Sequence, residues 1–126
     1  MRALRWKGLW LAGGALLVAG LLVVSLMPGR SLPGIGVSDK LGHAAAYFVL
    51  AFWFAGIAER SRLLAVAIGA FAFGGLCELL QHVTALGRAA DVADVIANAI
   101  GVSLAALAAR AGGGEWMQAV EKRLGA

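Results

Sequence analysis

The sequence predicts an all-α integral membrane protein with four transmembrane helices, and three observations carry that prediction. Apolar stretches at residues 8–27, 41–58, 63–83 and 92–111 are separated by short polar joints, and about 20 residues at about 1.5 Å of helical rise cross the hydrocarbon of a bilayer. The chain is 61% hydrophobic and 14% charged over 126 residues, with a mean hydropathy of +0.84, whereas a soluble domain carries about 25% charged residues. The acidic and imidazole residues within the spans, His43, Glu78, His82 and Asp94, also fall toward one and the same side, which places a polar site in one leaflet.

The first span follows Arg2, Arg5 and Lys7. Its apolar run is too long for a signal-peptide core, and Ser25-Leu26-Met27 is not a small-x-small cleavage site, so it reads as a retained helix. Trp6 and Trp10 bracket its start, where an indole buries its ring and keeps its N–H near headgroups. The second span is entered through Ser38 and Asp39, either of which can cap a helix. Glu59 and Arg60 then read as a solvated turn before the third span. The only cysteine, Cys77, rules out an internal disulfide and reads as a small packing residue. Small residues recur at Ala97, Gly101, Ala105 and Ala109, with a shorter set at Ala70 and Gly74, and such stripes let helices approach closely. Contacts within the chain are their default meaning; the oligomeric state stays open. Residues 1–111 thus form a single transmembrane domain. Gly112-Gly113-Gly114 then reads as a flexible joint to a tail at 112–126, in which Trp116, Val120 and Leu124 recur every four residues. That spacing fits a short amphipathic surface helix as well as it fits a frayed tail.

Orientation follows from the basic residues, which favour the cytoplasmic side of short loops. Of the 11 Lys and Arg, Arg30, Lys40 and Arg88 lie in the two loops on one side; all the others lie on the side of the termini. Both termini are therefore expected in the cytoplasm. The net charge of +4 does not point to nucleic acid, because no basic run is dense enough to make a phosphate-binding face. The bilayer itself is the expected partner.

The polar residues form three one-faced sets. Asp39, His43 and Tyr47 are spaced by four on the second span. Glu78, Gln81 and His82 lie near the end of the third, before Arg88. Asp91, Asp94 and Asn98 follow at the start of the fourth. Each set lies within about 10 Å of the same helix end, so three faces can meet there. A carboxylate such as Glu78 costs several kcal/mol in hydrocarbon and must face inward.

Asp39-Lys40-x-x-His43-x-x-x-Tyr47, Glu78-x-x-Gln81, Arg88, and Asp94-x-x-x-Asn98-x-x-Gly101 resemble the VanZ-like family, named after an accessory protein of teicoplanin resistance. The resemblance covers residues 38–102. It implies a multi-pass envelope protein with an extracytoplasmic polar cluster built from those residues. His82 and Asp91 fall at positions where variation is expected, and Thr84-Ala85-Leu86-Gly87 lacks the proline often found before the family's arginine.

Three functions compete for the cluster. In the first, Lys40, His43, Arg88 and Asn98 receive the anionic headgroup of a lipid or cell-wall precursor, supported by Asp39, Tyr47, Gln81, Glu78 and Asp94. A guanidinium fork suits phosphate oxygens, and an amide both donates and accepts. In the second, the cluster is a structural hydrogen-bond network. In the third, His43, Glu78 and Asp94 act as acid–base groups or divalent-metal ligands in a hydrolase or transferase. The sequence shows no paired-histidine motif, nucleophile elbow or phosphate loop, and it names no cofactor. The almost wholly apolar cytoplasmic halves of the spans argue against an ion pathway.

Overall fold

The computed structural model of the chain describes residues 2–26, 39–84 and 92–125, with Asp39 and Thr84 described for the backbone only. Its helices are α1 (Lys7–Leu26), α2 (Asp39–Ile57), α3 (Leu63–Thr84), α4 (Val92–Arg110) and α5 (Trp116–Arg123), with 3-10 turns at Arg60–Arg62 and Gly113–Glu115. The first four are long and apolar enough to cross a membrane, and their ends fall within a residue or two of the expected spans. Leu16, Val23, Leu64, Ile68 and Leu107 are exposed around the outside. An apolar surface of this kind is a liability in water and the natural surface in lipid.

Long-range contacts fix how the helices run. The Arg2 N–H donates to Ile57 O at 2.8 Å, joining the segment before α1 to the end of α2. At the opposite end, Gln81 Nε2 on α3 donates to Ser25 O on α1 at 2.7 Å, and Lys40 on α2 meets Asp94 on α4. The starts of α2 and α4 therefore share one end of the bundle with the finishes of α1 and α3; this is the site end. The N-terminal segment, the α2–α3 turn and α5 share the other, the terminal end.

The parallel pair α2 and α4 forms the spine. Ala97, Gly101, Ala105 and Ala109, the small stripe read from the sequence, are all buried. A Cβ on Gly101 would run into Ala44 O, and it would sit 3.0 Å from Phe48 N, so the helix backbones touch there. Tyr47, Leu50, Ala51, Ala70, Val102 and Ala105 make the central core. α1 lies at the periphery: Gly14 is its buried residue, and Gly13 and Gly14 seat it against the rings of Trp53 and Phe54.

At the terminal end the three glycines make a packed corner. Gly112 has φ +114°, a left-handed conformation open to glycine at little cost. A Cβ on Gly114 would lie 2.7 Å from Arg2 Nη2 and 3.2 Å from Ala109 O. The helix that follows turns a different face inward from the one its apolar spacing suggests. Met117 and Glu121 are buried, while Leu124 is exposed. Trp116 contributes by stacking on Phe52 with ring centroids 6.0 Å apart and donating its indole N–H to Phe52 O at 3.2 Å.

Glu121 is buried because α1 needs it. The first N–H groups of a helix have no partner within it, and a carboxylate suits the positive end of the helix dipole. Glu121 Oε2 accepts from the Arg5 N–H at 2.8 Å, and Oε1 accepts from the Trp6 N–H and the Trp10 indole, each at 2.8 Å. Trp10 also packs edge-on against Trp53 at 5.7 Å and Trp116 at 5.5 Å. Its indole N–H thus has a protein acceptor, where the sequence suggested headgroups.

Burial pushes the Glu121 carboxyl up, but the hydrogen bonds from Trp6, Arg5 and Trp10, with the Arg5 charge, outweigh it and hold the group below its ordinary 4.5. A depressed folded pKa means the stabilisation is complete above the unfolded value and is lost as pH falls through the folded one. Acidification from about pH 7 to below the folded value, itself under 4.5, should therefore release the α1 start from α5. The protection of the Arg5 and Trp6 amides, measured against the intrinsic exchange rate at each pH, should fall over that range. In Glu121→Gln that protection should be weak throughout, and an unchanged acid transition in that variant would remove Glu121 as the cause.

Candidate functional site

α2, α3 and α4 each bring one polar face to the site end. The parallel course of α2 and α4 sets Lys40 and His43 beside Asp94 and Asn98. Lys40 Nζ lies 2.5 Å from Asp94 Oδ1. His43 Nε2 lies 3.7 Å from Asp94 Oδ2, and His43 Nδ1 lies 3.2 Å from Asn98 Oδ1. With the amide oxygen as acceptor, Nδ1 carries a ring hydrogen, and Nε2 faces Asp94. Glu78 enters from α3: one ligand atom from each of His43, Glu78 and Asp94 lies within 4.8 Å of the others.

The cluster is graded from wet to dry. The Lys40 side chain is 39% exposed and Asp94 7%, with His43 between them at 16%. Glu78, Gln81 and Asn98 are buried. Deeper still, Tyr47 hydrogen-bonds with Cys77 and tilts against Phe73 at 6.3 Å. Gly74 gives Asn98 and Tyr47 their room, since a Cβ there would lie 2.9 Å from Asn98 Nδ2 and 3.0 Å from the Tyr47 ring.

Most of the residues singled out from the sequence come together here, with two differences of detail. Gln81 is buried but turns its amide to Ser25 O, tying α3 to α1 at the site end. Lys40 engages Asp94 directly, a contact that spacing along a single helix cannot reveal. His82 is exposed on α3 and takes no part. The side chain of Asp39, and all of Ser38, Arg88 and Asp91, lie outside the described residues, as does the loop before Arg88.

Two ionised carboxylates about 5 Å apart repel by about 3 kcal/mol at an effective dielectric of about 20. Among the described residues, Glu78 and Asp94 share the site with one lysine and one imidazole. Three groups of this type, with Asp94 Oδ1 already committed to Lys40, are the residues that could hold a metal.

A bundle of four membrane-length helices with an imidazole, two carboxylates, an amide and a lysine drawn together at one end is a multi-pass membrane protein with a polar site. The chain belongs to the VanZ/LLP1 family, whose model matches residues 10–113. The match takes in α1 and the corner after α4, beyond the 38–102 stretch that carries the motifs. No curated protein and no solved structure matches the chain.

Proposed function

We propose that the site end binds the phosphate-bearing headgroup of an anionic envelope lipid or a lipid-linked cell-wall precursor, in a bacterial cytoplasmic membrane with both termini cytoplasmic. The observation that carries this reading is the grading of the cluster: a half-exposed lysine at the rim, with buried acceptors and an amide behind it. Ionisable groups drawn together in membrane spans are functional candidates by default. Arg88, four residues beyond the end of α3 in the sequence, would add a guanidinium suited to phosphate oxygens. Family membership connects this reading to glycopeptide susceptibility. Holding or redistributing a surface lipid would alter the antibiotic's target without chemistry on the drug.

Native mass spectrometry of the detergent-purified protein tests the reading, and the mass of a retained lipid separates a glycerophospholipid from a glycan-bearing precursor. Wild type should retain a phosphate-bearing lipid that Lys40→Gln and Arg88→Gln lose at unchanged thermal stability. The direct Lys40–Asp94 contact favours a competing reading in which the cluster is only a structural network. That reading wins if wild type carries no lipid while Lys40→Gln lowers protein abundance.

A further inference from the structure

We infer that His43, Glu78 and Asp94 form a divalent-metal site whose remaining coordination position takes the headgroup phosphate. Three features of the geometry support the ligand set. First, the three ligand atoms come from three helices and lie within 4.8 Å of one another. Donors about 2.1 Å from a tetrahedral metal are about 3.4 Å apart, so a side-chain movement of about an ångström closes the set. Second, His43 Nε2 and Asp94 Oδ2 are 3.7 Å apart. That is too long for a hydrogen bond and close to the separation of two donors on one ion. Third, the contact from His43 Nδ1 to Asn98 Oδ1 is the outer-shell arrangement that fixes a metal-binding imidazole, holding the tautomer and aiming Nε2 at the ion.

Charge gives the same answer. Lys40 engages Asp94 Oδ1, leaving Oδ2 on the side facing His43. A cation between Oδ2, Glu78 and Nε2 converts a site with two carboxylates into one that attracts phosphate. One imidazole with two carboxylates suits a borderline ion such as Zn²⁺ or Mn²⁺. Three protein ligands leave a position open, and a phosphate oxygen fills it. The ligand set stands on geometry alone; only the occupant of the open position rests on the headgroup reading.

Equilibrium dialysis of the full chain in detergent, stripped with a chelator and offered Zn²⁺ or Mn²⁺ alone, tests the site. Wild type should bind one equivalent. His43→Ala and Glu78→Gln should bind at least about tenfold more weakly, and His82→Ala should match wild type. Because a buried substitution can unfold the bundle, the decisive result comes from wild type: stripped protein that takes up neither ion overturns the site. Native mass spectra before and after chelation separate the two readings. Lipid lost on chelation and restored with the ion supports the bridge. Lipid retained equally in both states overturns the bridge and leaves headgroup binding intact. Bound metal with no lipid in either state overturns headgroup binding and the phosphate bridge, and leaves the ligand set.

Discussion

Gly101→Val should leave little folded protein in detergent. The atoms in the way are Ala44 O and Phe48 N, backbone groups of α2 that have no rotamer to escape into. The new side chain can be housed only by parting α2 from α4 along the stripe that runs to Ala109. Overpacking a tight contact costs about 1–3 kcal/mol, and a backbone-to-backbone contact puts valine at the top of that range or above. Gly101→Ala should be the informative variant: folded, with a lower Tm, and weak in ligand retention, because Asn98 lies one turn away on α4 and His43 is next to Ala44. Thermal unfolding followed by tryptophan fluorescence checks both. A valine variant that melts with wild type would mean that α2 and α4 do not meet at Gly101.

Asp94→Asn has an expected sign that opposes simple electrostatics. The substitution removes a negative charge and releases Lys40, so a site that held an anion with its side-chain charges alone would bind it more tightly. With a metal between His43, Glu78 and Asp94, the same change deletes a ligand, and both metal and headgroup should be lost by about 100-fold or more. Stability should change little by comparison, because a contact whose lysine is 39% exposed is worth about 1 kcal/mol or less. Lipid and metal content, measured on one preparation of each protein, decide the sign. Stronger lipid retention in Asp94→Asn would exclude the metal bridge.

The bundle was legible in the sequence because membrane spans are read by length and apolarity, which are properties of a continuous segment. The faces of the site were legible for a similar reason: spacings of three and four put His43 with Tyr47 and Asp94 with Asn98 on common faces before any partner is known. The partner itself was not legible. That Lys40 meets Asp94 depends on α2 and α4 lying side by side; their parallel course was legible in the alternation of spans, but their close contact rests on Gly101 and not on the polar residues. Likewise Gln81 carries the right spacing for the cluster and turns instead to a carbonyl of α1. At the terminal end, a search for apolar repeats selected Trp116, Val120 and Leu124. The face that docks is organised by a buried carboxylate, and Glu121 reads as surface until its three donors, all from the first residues of the chain, are seen.

That carboxylate also sets an order of events during synthesis. The acceptor that completes the start of α1 lies 116 residues further along the chain from Arg5. α1 therefore waits with open donors until α2, α3 and α4 have been made. A ribosome that stops before residue 121 leaves a product that can span the bilayer but cannot close its first turn. Among nascent chains, the exposed Arg5 and Trp6 amides would distinguish the unfinished from the finished.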